Sequence, residues 1–270
     1  MKLSKRSSAT LLALLAATAV GSNSVLAATA LELDSTGTVE VKEADDTNPG
    51  PEIPDPEKPD PVDPVDPIDP NPTSGPLKVE KVTKLNFGEI ETTTGEITKP
   101  AAAYQTSGGP RGAMVTFADV RTTASGYTLN AKLSEQFKGN TTGAYLTGSK
   151  ISYSNGIARL EKDNTNTPGT LNKSAFVLTT NSDTEVGESV TVYTADKATK
   201  QGKGRTVLEF GQSDTYDPTS NPTPPGSNLG TGTAGTAAKS VNLIVPSGTA
   251  SGMVDDTYVA KITWSLVAAP

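Results

Sequence analysis

The sequence predicts an all-β fold, an antiparallel β-sandwich or barrel-like domain, preceded by a disordered acidic, proline-rich stalk. Three observations carry this. From Pro76 to Pro270, short runs alternate apolar and polar residues between turn signals. No long stretch keeps a helical period, and Thr, Val, Gly, Asn and Ser dominate the region. Ahead of it, ten of the chain's twenty prolines fall within residues 49–72, where neither helix nor sheet can propagate.

The elements follow in chain order. Residues 1–27 begin Met-Lys-Leu-Ser-Lys-Arg, continue into the apolar run Leu11 to Ala17, and close on small residues around Ala27 and Ala30. A basic start, a short apolar centre and a small-residue cleavage site read as a secretory signal peptide. The apolar run falls short of the ~20 residues that span a bilayer. With no later apolar run of that kind, no transmembrane segment is expected in the mature protein. Residues 28–48 form a short segment in which Leu31 to Val41 alternates apolar and polar side chains. It reads as a strand that either joins the body or stays loose.

Residues 49–76 are the stalk, an Asp-Pro-x repeat. Proline fixes φ, and each residue before one is pushed to extended geometry, so a polyproline-II spacer is expected. Charge divides along the same lines. Residues 28–76 hold 2 basic and 13 acidic groups, net −11, whereas residues 77–270 hold 18 and 17, net +1. A nearly neutral body without a basic stripe is a poor nucleic-acid binder.

The body, 77–270, is expected to carry strands at Leu77 to Val82, Met114 to Val120, Tyr127 to Leu133, Ala175 to Thr180, Ser189 to Thr194, Val207 to Phe210, Val241 to Val245 and Tyr258 to Leu266. The stretch from Asp214 to Thr236 reads as a mobile surface loop. In the last strand Tyr258, Ala260, Ile262, Trp264 and Leu266 share one face. An earlier strand repeats the arrangement with Tyr127, Leu129, Ala131 and Leu133. Each pair of an aromatic and a leucine two residues apart has two readings, buried core or a strip for stacking on sugar rings. The usual inward direction of a strand's apolar face favours core.

The chain has no cysteine and no histidine. This removes thiol nucleophiles, disulfides, thiolate metal sites and the commonest general base. No cofactor, metal site or catalytic residue is expected. Gly230 to Gly235 fits G-x-G-x-x-G but opens no helical pattern, and Asp255-Asp256 reads as a hairpin turn. Asp119 and Arg121 are spaced for a same-face ion pair.

The ending Tyr258-Val259-Ala260-Lys261-Ile262-Thr263-Trp264-Ser265-Leu266, followed by a final proline, resembles the terminal signature of the WxL domain of Gram-positive surface proteins. Leu77-Lys78-Val79 with Leu85-Asn86-Phe87-Gly88 is similar to the domain's opening. Val115 to Arg121 with Ser125-Gly126-Tyr127-Thr128-Leu129 is similar to its proximal segment, with Tyr127 where the family usually has tryptophan. Ser240 to Pro246 also fits. The resemblance implies an extracellular protein held non-covalently on the cell wall, with peptidoglycan as ligand. It also implies other WxL-family and WxL-interacting surface proteins as partners. The expected ligand-binding residues are Trp264, Leu266, Tyr127, Leu129 and Tyr258. With no Leu-Pro-x-Thr-Gly motif, hydrophobic tail or lipid-bearing cysteine read, attachment is expected through contacts alone. Two alternatives stand beside this: a protein-interaction module that docks other surface proteins, and a glycan-cleaving enzyme built on carboxylates. No convincingly placed acid pair supports the second.

Overall fold

The computed structural model describes residues 37–47, 49–58, 60–123, 125–219 and 229–269. The signal-peptide expectation for residues 1–27 lies outside them. Over its described part, residues 37–41, the run Leu31 to Val41 is exposed and outside any strand.

From Val41 onward the chain forms one unit, built almost wholly of strands, as the alternating runs predict. They are β1 Leu77–Val82, β2 Ile97–Pro100, β3 Tyr104–Thr106, β4 Gly109–Arg111, β5 Ala113–Asp119, β6 Tyr127–Gly139, β7 Lys150–Tyr153, β8 Gly156–Leu160, β9 Thr170–Leu171, β10 Phe176–Leu178, β11 Val190–Ala195, β12 Gly204–Phe210, β13 Val241–Val245 and β14 Tyr258–Ala268. A single helical turn, α1 Ser247–Ala250, precedes the last strand. Three four-stranded sheets run β1-β5-β12-β8, β10-β7-β13-β2 and β14-β6-β11-β9, with β3-β4 as a small hairpin. Every pairing is antiparallel.

All three sheets turn their apolar faces onto one core. Val115 and Phe117 come from β5, Leu129 and Leu133 from β6, Ile151 and Tyr153 from β7, Phe176 from β10, Leu208 and Phe210 from β12, and Leu243 from β13. The aromatic rings interlock mainly edge to face; Tyr153 meets Phe210 edge-on at 4.9 Å between centroids and stacks on Phe176 at 4.7 Å, both within the favourable range for aromatic pairs.

The acidic proline run departs from the expected free spacer. It bends at residues 51–52, 56–58 and 65–66 and doubles back on itself in place of one extended spacer, and it lies along the second face of the β1-β5-β12-β8 sheet. Ile53 and Val62 exchange backbone hydrogen bonds (2.9 Å each). With Tyr104, Met114 and Val207 they form a second apolar cluster. The residues between the prolines supply the donors: Val65 and Asp66 both donate to the Gln105 carbonyl.

Charge explains why this run does not project into water. The covered face carries Lys78, Lys81, Arg111, Arg159 and Arg205 against Glu80 and Glu209, and buried cations need partners. Arg111, wholly buried, is held in a two-point grip by Asp55, Nη2–Oδ2 at 2.6 Å and Nε–Oδ1 at 3.1 Å. Asp46 meets Lys78 at 2.7 Å. Glu57 accepts from the Ser213 backbone N–H at 2.6 Å and from its hydroxyl.

Glu209 sits under this cover with its Oε1 accepting from the Gly112 N–H at 3.0 Å and its Oε2 without a partner. Burial, then the neighbouring Glu57, push its carboxyl well above the ordinary range. Below about pH 4 the acid is protonated in the folded and unfolded chain alike. As pH rises past that point only the unfolded chain ionises, so this group's contribution falls toward neutrality. Glu209→Gln removes the titration. Its thermal stability relative to the parent is expected to be higher at pH 7.5 than at pH 4.5, read by calorimetry at both. An equal difference at the two values would contradict the assignment.

The described flanks of the Asp214 to Thr236 loop are pinned rather than loose. Gln212 accepts from the Thr233 N–H through its side chain (2.8 Å) and from the Thr236 and Ala237 N–H groups through its carbonyl (2.9 Å each). Leu229 is buried, and residues 220–228 lie outside the described chain.

Candidate functional site

The two strands singled out by sequence are neighbours. β14 pairs with β6 over nearly its whole length, setting Trp264 opposite Ala131 and Leu266 opposite Leu129. Period-2 alternation then sorts the side chains. Tyr258, Ala260, Ile262, Trp264 and Leu266 turn inward and are half-buried against the core. Tyr127 and Leu129 are 1% and 0% exposed. The Tyr127 ring stacks 6.3 Å from Tyr193, meets Phe117 edge-on at 6.0 Å, and donates its hydroxyl to the Gly202 carbonyl at 2.9 Å. Burial pushes its phenol well above the ordinary range.

The expected aromatic–leucine strip is therefore divided. Tyr127 and Leu129 are core, with no surface on which a sugar could stack in this structure. Leu266 packs beside them. Trp264 and Tyr258 retain access to solvent through a groove.

That groove, of about 890 Å³, lies between two stretches, Val82 to Ile90 and Met253 to Trp264, over a floor of Phe137, Leu146, Ile151, Tyr153 and Leu243. Leu85, Phe87 and Ile90 lean inward from one wall. Asn86 Oδ1 accepts from the Gly88 N–H at 2.9 Å, and Gly88 turns the chain at φ 63°, a left-handed value that favours glycine. Trp264 stands nearly perpendicular to Tyr153 and Phe176 at 6.0 and 6.3 Å. Asp256, at the rim, accepts from the Thr141, Thr142 and Thr257 N–H groups and the Thr142 hydroxyl. These bonds hold its carboxyl down to about 2. It ties the β14 approach to the turn after β6, so Asp255-Asp256 is a bend leading into β14 and not the expected hairpin turn, because β14 pairs with β6 and not with the preceding β13.

The opposite, outward face of β6 and β14 is mostly polar, with Val259 and Val267 exposed toward its two ends. Thr128, Asn130, Lys132 and Ser134 from β6 align with Thr263 and Ser265 from β14, and Thr191 and Thr194 from β11 extend the array. The side chains hold one another: Asn130 donates to Thr128 at 3.1 Å and accepts from Thr191 at 2.7 Å, and the Ser134 and Thr263 hydroxyls are 2.8 Å apart. None of these eight residues is acidic; Glu135 lies at one end, bridged to Lys261 at 3.4 Å. The Asp119–Arg121 pair expected from sequence forms at 2.9 Å, at the end of β5.

A family described as WxL domain, surface cell wall-binding, has a sequence profile that matches residues 28–270. The chain belongs to the WxL family. No curated protein and no solved structure matches it. In this WxL chain the opening motif and the terminal signature, 170 or more residues apart in sequence, face each other across the groove. No helix among the described residues is long and apolar enough to cross a membrane. Sequence reasoning treated these two motifs as separate marks and missed that Leu85, Phe87 and Tyr258 share a cavity. It also passed over Asn130 and Thr191, whose polar types carry no signal until strand register places them side by side.

Proposed function

We propose that this WxL chain is exported and held at a Gram-positive cell wall by reversible, non-covalent contact with peptidoglycan, and that it works by binding rather than by catalysis. The family supplies the wall-binding class. The observation that carries the finer reading is the outward face of β6, β14 and β11. On a chain of net charge −7, a sheet face of Thr, Ser, Asn and Lys without a carboxylate avoids repelling an anionic wall. Its hydroxyl and amide groups match the hydrogen-bonding needs of a sugar polymer. Their mutual hydrogen bonds fix the rotamers in advance, which lowers the ordering cost of binding. The same strands turn their apolar side chains into the core, so the motif builds the platform while its other face meets the ligand.

The test is co-sedimentation of the full chain with purified sacculi stripped of secondary polymers. Lys132→Glu combined with Ser265→Glu puts two negative charges on the face and is expected to weaken binding about tenfold, equivalent to ~1.4 kcal/mol. Near-ultraviolet circular dichroism should stay unchanged, and no sugar should be released from the wall. Unchanged sedimentation of the folded double variant would place the contact elsewhere.

A further inference from the structure

The groove beneath Trp264 has features that a polar sugar polymer does not need and an extended peptide does. β14 is the outermost strand of its sheet, paired on one side with β6. Tyr258, Val259, Ala260, Lys261 and Ile262 line the groove consecutively. Successive side chains of a strand point to opposite faces, so the cavity borders the strand along its free edge. Beyond Val82 the facing wall lies outside any strand and turns at Gly88. Among the described residues, Lys84 to Thr92 makes a single backbone–backbone hydrogen bond, from Ala102 to the Asn86 carbonyl. Most backbone groups of this stretch thus lack a backbone partner beside the groove, the Gly88 N–H being held by Asn86 Oδ1, an arrangement that proteins ordinarily cover or disrupt. Tyr258 to Trp264 offers this edge over ~20 Å, at ~3.3 Å per residue.

The rim narrows the choice of occupant. Lys84 is already bridged to Asp69 at 2.9 Å and Lys261 to Glu135 at 3.4 Å. Glu89, Asp255 and Asp256 are left to give the opening a negative character. We infer that the groove receives an extended segment of a partner polypeptide, added as a further strand on the free edge of β14, with aliphatic side chains at alternate positions and lysine or arginine at an end. Backbone pairing supplies affinity, the alternate side chains fill the cavity over Phe137 and Tyr153, and the rim carboxylates set the direction. This goes beyond wall attachment and does not depend on it, because the sugar-binding face lies on the opposite side of the same strands.

Trp264 is the only tryptophan of the chain and lines the groove, so its fluorescence reports occupancy. The full chain is titrated with the synthetic peptide Lys-Val-Thr-Val-Thr-Val-Lys. A second peptide of the same sequence is N-methylated at alternate residues, keeping its side chains while losing backbone donors. The expected result is a saturable emission shift with the first and at least tenfold weaker binding of the second. Glu89→Lys with Asp255→Lys should reverse the preference, favouring a peptide ended by glutamates. These exposed rim positions leave the core intact, and circular dichroism checks this. No shift up to millimolar peptide, or equal responses to both peptides, would overturn the proposal. So would a shift produced by soluble muropeptide and not by peptide, which would assign the groove to the wall. Loss of sacculus binding with peptide binding intact would instead sink only the wall-face reading.

Discussion

Replacing Arg111 by alanine is expected to cost ~3–5 kcal/mol of stability, the range found when one partner of a buried ion pair is removed. Arg111 and Asp55 are 0% and 1% exposed. The guanidinium also donates to the Gly108 and Pro110 carbonyls at 3.1 Å each. Without it, Asp55 keeps the Glu57 N–H at 2.9 Å but loses its ion-pair partner beside the Glu57 and Glu209 carboxylates. The proline run should loosen first. Amide exchange at Ile53 and Val62, whose N–H groups bond each other's carbonyls, should lose protection before the main core does. Urea unfolding measures the total and exchange locates it. Replacing the pair together, Arg111→Met with Asp55→Leu, should recover part of the loss, since the Asp55 charge is then gone while Glu57, 3.9 Å from the guanidinium, still loses its cation. A cost below ~1 kcal/mol for Arg111→Ala, the scale of an exposed pair, would show that the run is not held by this contact.

The second large effect is at Tyr127. Tyr127→Ala removes a fully buried ring between Phe117 and Tyr193, and ~3–5 kcal/mol is expected for an aromatic deletion of this kind. Tyr127→Phe keeps the ring and loses the hydroxyl bond to Gly202, a change nearer ~1 kcal/mol plus the cost of an unsatisfied carbonyl. Binding to sacculi should fall only as far as the folded fraction falls. A Tyr127→Ala protein that is fully folded and yet fails to bind would restore this residue as a contact.

Much of the fold is legible in the sequence where period-2 alternation is strong. The runs beginning at Leu77, Tyr127, Val241 and Tyr258 coincide with β1, β6, β13 and β14, because one apolar face per strand is the pattern a half-buried antiparallel sheet requires. Short strands such as Tyr104–Thr106 and Thr170–Leu171 carry too few residues to show a period. Gly156–Leu160 is covered on both faces, so it does not alternate. The proline run was legible locally and not globally. Its lack of regular secondary structure follows from composition, but the reversal that pairs Ile53 with Val62 and its seat on the sheet depend on Arg111 and Met114, far along the chain. The site divides the same way. The importance of the terminal signature can be read from residues 258–266, whereas the groove exists only because the Leu85 to Gly88 segment is brought alongside.

Ile53 and Val62 belong to the folded unit, and this bears on how the protein should be cut for expression. A fragment starting at Leu77 would bare Met114 and Val207 and strip Asp55 from Arg111, leaving a sticky, cationic sheet. Such a truncate would adsorb to any acidic polymer. A pull-down made with it would report that artefact in place of the native specificity.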